Sequence, residues 1–250
     1  MPVYSKAPLQ EAICEFHFDP NSQWDMAVPG LFYEKVKGEF PVRKPVRSVE
    51  SSGTQDTHEI KHQVNFIDRL QCWSEDEKAI LQVSNHFVAA NHLSPYGGWA
   101  LFQPMILKAL SAYLDAAGDS RIQRIVVRYI DRVAIPETEG IKIDEWFAFY
   151  AQGPKMSVTP GDLTAFMVGQ QYLCEDRRDL LGIDLATGGI EDGHSIFMLN
   201  TQYVLLKLGS LDPDEVAGWL ELAHNRLRDA FEGCLTDRLR AVFEGERHED

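Results

Sequence analysis

The sequence predicts an α+β fold. Two tandem units, each running strand, helix, three strands, helix, would merge their antiparallel sheets into one curved sheet with helices packed on one face. Three observations predict it. Segments of period-two alternation outnumber the helical stretches. Two long helical stretches stand at comparable places, Trp99 to Leu114 and Val216 to Phe243. The order of elements recurs in residues 1–118 and 119–250, which together read as one unit.

The first element is E-A-I-C-E-F-H-F, Glu11 to Phe18. Ala12, Cys14, Phe16 and Phe18 fall on one face, and Glu11, Ile13, Glu15 and His17 on the other, so one face is buried. Asp19-Pro20-Asn21-Ser22 ends the strand. Leu31, Phe32, Val36 and Phe40 then follow helical spacing up to Pro41. Pro45 to Glu50 reads as a strand and Ser51 to Thr57 as a loop. Asp68 to Ser74 continues the strand that follows this loop or opens the next. Ala79 to Ala89 reads as one strand running into a loop. Trp99 to Leu114 is a strong helix, with Pro104 placed in its first turns, where a missing N–H costs least. Gly97-Gly98 before it reads as a turn, and an anion cradle is the other use of such a pair.

In the second half, Ile122 to Ile135 is a strand stopped by Pro136, and Ile143 to Tyr150 a short helix with Asp144 as its N-cap. Asp162 to Cys174, Arg178 to Leu185 and Ser195 to Leu208 are strands, with Thr187-Gly188-Gly189 a turn. Asp212-Pro213-Asp214-Glu215 opens the last helix with an acidic first turn and Pro at its start. Its apolar face carries Val216, Trp219, Leu220, Leu222, Leu227, Phe231, Leu235, Leu239 and Phe243, with a break expected near Gly233. This order is similar to that of TATA-binding-protein-like and helix-grip folds, and order of elements does not fix function.

The 250 residues are 44% hydrophobic, an ordinary globular share that builds a core without disulfides. No run reaches the ~18 to 20 apolar residues of a membrane span. The first residues show no basic segment followed by an apolar one, so a cytoplasmic protein is expected. Cys14, Cys72, Cys174 and Cys234 form no C-x-x-C pair and read as free thiols beside apolar residues. The formal charge of −14 disfavours nucleic-acid binding by the surface as a whole.

His58-Glu59-Ile60-Lys61-His62 matches H-E-x-x-H, the zinc signature of many metalloproteases. That chemistry needs a helix, where residues four apart share one face. Here His58, Ile60, His62, Val64 and Phe66 fall on one face at period two, so a strand is expected. On a strand the two histidines stand ~13 Å apart and cannot share one ion. No metal and no cofactor are therefore expected, and a zinc hydrolase is the last of the readings. G-x-S-x-G, P-loop and G-x-G-x-x-G patterns are absent from the sequence. Asp131, Asp184 and Glu191 stand near strand ends with nothing to select them as paired acids. His86, His92, His194 and His224 are scattered.

The candidate ligand-binding residues are Glu11, Glu15, Arg128, Tyr129, Asp131 and Arg132. Arg124, Arg128 and Arg132 share one face of their strand. If the first strands of the two halves lie side by side, Glu11 and Glu15 face Arg128 and Arg132 as cross-strand ion pairs. One reading is a ladder that only joins the halves. The other is a polar surface suited to a carboxylate or phosphate.

A-P-L-Q-E-A-I-C-E, Ala7 to Glu15, and R-Y-I-D-R, Arg128 to Arg132, with Tyr96-Gly97-Gly98-Trp99 and the C-terminal helix, resemble a sporadically distributed family of uncharacterised prokaryotic proteins. The resemblance covers nearly the whole chain. It implies a cytoplasmic prokaryotic protein and no reaction. Members of that family often carry Asn where Asp131 stands, which argues against a role needing the acid. Together these observations lead to the expectation of a binding or interaction protein, whose partner is a protein, a second copy of the chain or a small anionic ligand. An enzyme with its site at Glu11, Glu15, Arg128, Tyr129 and Asp131 is the alternative.

Overall fold

In the computed structural model, residues 4–22, 24–56, 59–118, 121–152, 164–207, 209 and 211–244 are described. The strands are β1 (Leu9–Phe18), β2 (Val42–Asp56), β3 (Glu59–Trp73), β4 (Ala79–Ser84), β5 (Phe87–Leu93), β6 (Ile122–Ile135), β7 (Met167–Cys174), β8 (Asp179–Glu191) and β9 (His194–Leu205). The helices are α1 (Val28–Val36), α2 (Trp99–Ala117), α3 (Ile143–Trp146), α4 (Val216–Gly233) and α5 (Asp237–Glu244). The fold is α+β, and its nine strands form one antiparallel sheet in the order β2-β3-β4-β5-β1-β6-β9-β8-β7. Two compact units divide the chain discontinuously. One holds residues 1–13, 93–96 and 126–250, the other 14–92 and 97–125.

The unit of residues 14–92 and 97–125 is built on β-strand alternation. Phe16 and Phe18 are buried on one face of β1, as the alternation predicts. Phe18 stacks on Tyr113 of α2 at 4.2 Å between ring centroids. Helix α1 starts with Pro29 in its first turn, where Pro is tolerated, and buries Val28, Phe32 and Val36 at i, i+4 and i+8. It ends at Val36, before the predicted stop at Pro41. Each large side chain buried here contributes about 1.5–3 kcal/mol. Lys35 and Asp115 form an ion pair at 2.8 Å between α1 and α2.

Three local expectations change in this unit. Ser51 to Asp56, expected as loop, extend β2, because the ladder from Ser51↔Val64 to Asp56↔Glu59 continues the β2–β3 hairpin. The stretch Ala79 to Ala89 is a hairpin, with Ser84 paired to Phe87 across Asn85-His86. His86, at the second position of this turn, takes a left-handed φ of +54°. Pro104 lies deeper inside α2 than its first turn. Four strands, not three, therefore stand between α1 and α2, and the two halves do not carry the same elements.

The other unit packs Val133, Ile135, Trp146, Phe147, Leu185, Phe197, Leu199, Leu235, Leu239 and Phe243 into one core. Helix α4 buries Val216, Trp219, Leu220, Ala223, His224 and Leu227, a stripe at helical spacing. The break expected near Gly233 separates α4 from α5, and Pro213–Glu215 forms a 3-10 turn ahead of α4. The predicted helix from Ile143 to Tyr150 shortens to α3, because Phe147 turns extended and bridges to Leu235. Thr187-Gly188-Gly189 is not a turn but an irregularity inside β8, where Gly189 adopts φ +102°. Tyr4 anchors the N-terminal segment, its hydroxyl donating to Glu232 Oε2 at 2.9 Å.

All four cysteines are free thiols. No described helix is long and apolar enough to cross a membrane.

Candidate functional site

The H-E-x-x-H motif does not lie on a helix. Glu59 to His62 belong to β3, with His62 in register with Gly53, and His58 lies outside the described residues.

Strand β6 alternates, so the four residues singled out on it, Arg128, Tyr129, Asp131 and Arg132, divide between its two faces. Tyr129 and Asp131 are buried on the face that also carries Val127, Val133 and Ile135. Arg128 and Arg132 point to the opposite face and are half-buried. Both arginines meet partners from strands β8 and β9. Arg128 donates from Nη2 to Gln202 Oε1 at 3.4 Å. Gln202 lies over Gly182, where a Cβ would stand 2.9 Å from its Cγ. Arg132 forms an ion pair with Glu191, supplied by the end of β8. Glu11 and Glu15 are half-buried on β1, and Glu15 Oε2 lies 3.3 Å from His17 Nε2. Asp184 and Glu191 are exposed and do not converge with Asp131.

Burial sets the chemistry of the two inward residues. The Asp131 carboxyl has 4% of its residue surface exposed, and burial alone pushes its pKa up to about 8. It is therefore a neutral acid at pH 7. It lies near the Cys234 thiol, which burial and then the Asp131 charge push up to about 12. Tyr129 meets His224 of α4, with its hydroxyl 2.7 Å from Nδ1. Burial, then the Arg228 guanidinium, lowers the His224 pKa to about 4, against a weaker opposing effect of Glu221. Tyr96 packs near the Tyr129 ring at 6.3 Å, and burial raises its hydroxyl pKa well above the ordinary value. This is a satisfied histidine inside an apolar stripe, tying β6 to α4.

A second buried acid was not singled out by sequence reasoning. Asp179 is fully buried at the start of β8. Its carboxylate takes Arg178 Nη2 at 2.7 Å, Tyr203 Oη at 3.2 Å and Trp219 Nε1 at 3.1 Å. The partners come from the β7–β8 turn, β9 and α4. Their convergence is a tertiary event with no local signal.

The unit of residues 14–92 and 97–125 carries a cleft of about 890 Å³. The size falls in the range of small-molecule sites, roughly 300–1,000 Å³. Its walls include Trp24, from the segment between β1 and α1, His17 of β1, and His86 and Phe87 at the β4–β5 turn. Arg69 of β3 places its guanidinium 4.6 Å from the Phe87 ring centroid. The His17 ring meets the same Phe87 edge-on at 5.2 Å. The His86 ring lies 6.1 Å from Trp24, and its Nδ1 is 3.2 Å from Ser22 Oγ. Asp68, at the rim, is bound by Arg47 through Nε at 2.6 Å and Nη2 at 3.1 Å. That bond holds its carboxyl below the usual range. The walls thus combine flat ring surfaces with a stacked cation. The sequence signal that could have led here is the Asn85-His86 pair interrupting an apolar run. A turn there brings Phe87 back against β4 and opens the recess.

No protein-family model and no curated protein matches this chain.

Proposed function

We propose that the protein is a binding protein whose ligand enters the cleft between Trp24, Arg69, His86 and Phe87, and that the ligand is small, planar and anionic. The observation that carries this reading is the Arg69 guanidinium stacked on Phe87 inside a recess of ligand size. The guanidinium over the Phe87 ring puts a positive charge in the wall of the cleft, which suits a carboxylate or phosphate. Trp24 and His86 offer ring faces to a flat apolar body. His17 and His86 add ring nitrogens able to hydrogen-bond a polar group. This keeps the ligand class expected from the sequence and moves the site from the central strand to the cleft. The likeness to uncharacterised prokaryotic proteins adds no reaction to it.

The test uses 8-anilinonaphthalene-1-sulfonate, which joins a flat ring system to one anionic group. Titration into the native protein is expected to give saturable fluorescence with one site per chain. Arg69→Gln is expected to weaken it about tenfold, the scale of one charge-assisted contact. Trp24→Ala is expected to weaken it similarly while the melting temperature holds. Binding that is unsaturable, or unchanged in both variants, would overturn the cleft as the site.

A further inference from the structure

The sheet ends differently on its two sides. At one end stands β2, whose sequence carries Arg43, Lys44, Pro45 and Arg47. Charges and proline are the usual protection of a strand edge against pairing with another chain. At the other end stands β7, M-V-G-Q-Q-Y-L-C, which has neither charge nor proline. Strand β7 pairs with β8 and, among the described residues, with no other strand. Of its eight residues only Val168 and Cys174 are half-buried, and the other six are exposed. Met167 is 80% exposed, Tyr172 47% and Leu173 51%. An edge strand without charge or proline and with exposed apolar side chains is a template for strand addition.

We propose that β7 is the interface of a homodimer, in which the β7 strands of two copies pair antiparallel about a two-fold axis. The occupant follows from self-complementarity. A two-fold that joins two edges into one continuous sheet is perpendicular to it and keeps each face on its own side. Residues of the same face must then lie opposite one another, so the axis passes midway between the two copies of one residue. Centred on Gln170, the register sets Met167 opposite Leu173 and Val168 opposite Tyr172. Gly169 then lies opposite Gln171, and the two Gln170 side chains meet at the axis. Every exposed apolar side chain of the strand gains an apolar partner. Centred on Gln171, the same strands would set Leu173 against Gly169 and Tyr172 against Gln170, wasting both. Charge argues in the same direction. The chain carries a formal −14, and two copies repel over most of their surface. Strand β7 itself adds no charged side chain to such a contact.

Sedimentation velocity and oxidative cross-linking test this together, on the full chain with Cys174→Ser as background. The background protein is expected to sediment as a dimer at about 100 μM. Leu173→Lys, at an exposed position, is expected to raise the dimer dissociation constant at least about tenfold with the melting temperature of the monomer retained. Gln170→Cys is expected to form a covalent dimer on mild oxidation, and Gln171→Cys is not. A monomer at that concentration, a dimer indifferent to Leu173→Lys, or cross-linking through Gln171→Cys in place of Gln170→Cys would each overturn the proposal.

Discussion

The hydroxyl of Tyr129 lies 2.7 Å from Nδ1 of His224, joining β6 to α4 inside an otherwise apolar stripe. Removing the hydroxyl leaves a buried ring nitrogen without that partner. Tyr129→Phe is expected to cost about 1–2 kcal/mol in urea denaturation, with little change in the slope of the transition.

The same pair gives the protein an acid limb. The folded-state pKa of His224 is lowered to about 4, from an unperturbed 6.5. Between these values the unfolded chain binds more protons than the folded one, so stability rises with pH. His224's contribution is full above about 6.5 and is lost as pH falls toward 4. Melting temperatures of the native protein and His224→Gln, recorded from pH 4 to 7, are expected to converge at the acid end. Parallel profiles would show that His224 does not set this limb.

Asp131 acts with the opposite sign. Its folded pKa is raised to about 8 by burial, above the ordinary carboxylate value of 3.8. Between those values the folded state holds a proton the unfolded chain has released, so this residue's contribution falls as pH rises and levels off above 8. Asp131→Asn keeps the shape and removes the ionisation. It is expected to stabilise the protein at pH 8 by ~2–4 kcal/mol and to leave stability near pH 4 unchanged. Equal effects at both pH values would mean that the carboxyl does not titrate in its buried place.

Asp179 should be costly to replace. Arg178, Tyr203 and Trp219 converge on one buried carboxylate. Asp179→Ala leaves their donors facing an empty site and is expected to destabilise by about 3–5 kcal/mol. Trp219→Phe removes one donor and is expected to cost about 1–2 kcal/mol. Guanidinium unfolding followed by far-UV circular dichroism measures both.

At Gly189, φ is +102°, in a region that side-chain-bearing residues rarely occupy. Nothing stands within 4 Å of a Cβ built there, so the cost of Gly189→Ala is conformational and not steric. A loss of about 1–2 kcal/mol is expected by thermal denaturation. An unchanged midpoint would show that β8 can straighten at this irregularity.

Local patterns made much of the fold legible. Alternation in Glu11 to Phe18 gave the buried face of β1, and the spacing from Val216 to Leu227 gave the stripe of α4. The H-E-I-K-H letters read as a strand because period two fitted the residues around them, and Glu59 onward is a strand. Where expectation failed, a neighbour had overruled a local signal. Ser51 to Asp56 look like loop, yet the register with β3 holds them extended. Asn85-His86 sits within an apolar run, and only the return of β5 alongside β4 marks it as a turn.

The sequence by itself determined which side chains share a face, that a helix breaks near Gly233 and that a large apolar core would form. Those properties depend on residues a few positions apart. Tertiary structure alone decided what each face meets. Arg128 and Tyr129 are adjacent in sequence, yet one bonds Gln202 and the other His224, because successive strand residues point to opposite sides. Arg69 and Phe87 meet across the β3–β5 region, and Asp179 gathers Tyr203 and Trp219 from 24 and 40 residues away. Such contacts follow from strand order and register, which are set by the burial of whole faces and not by any short stretch of residues.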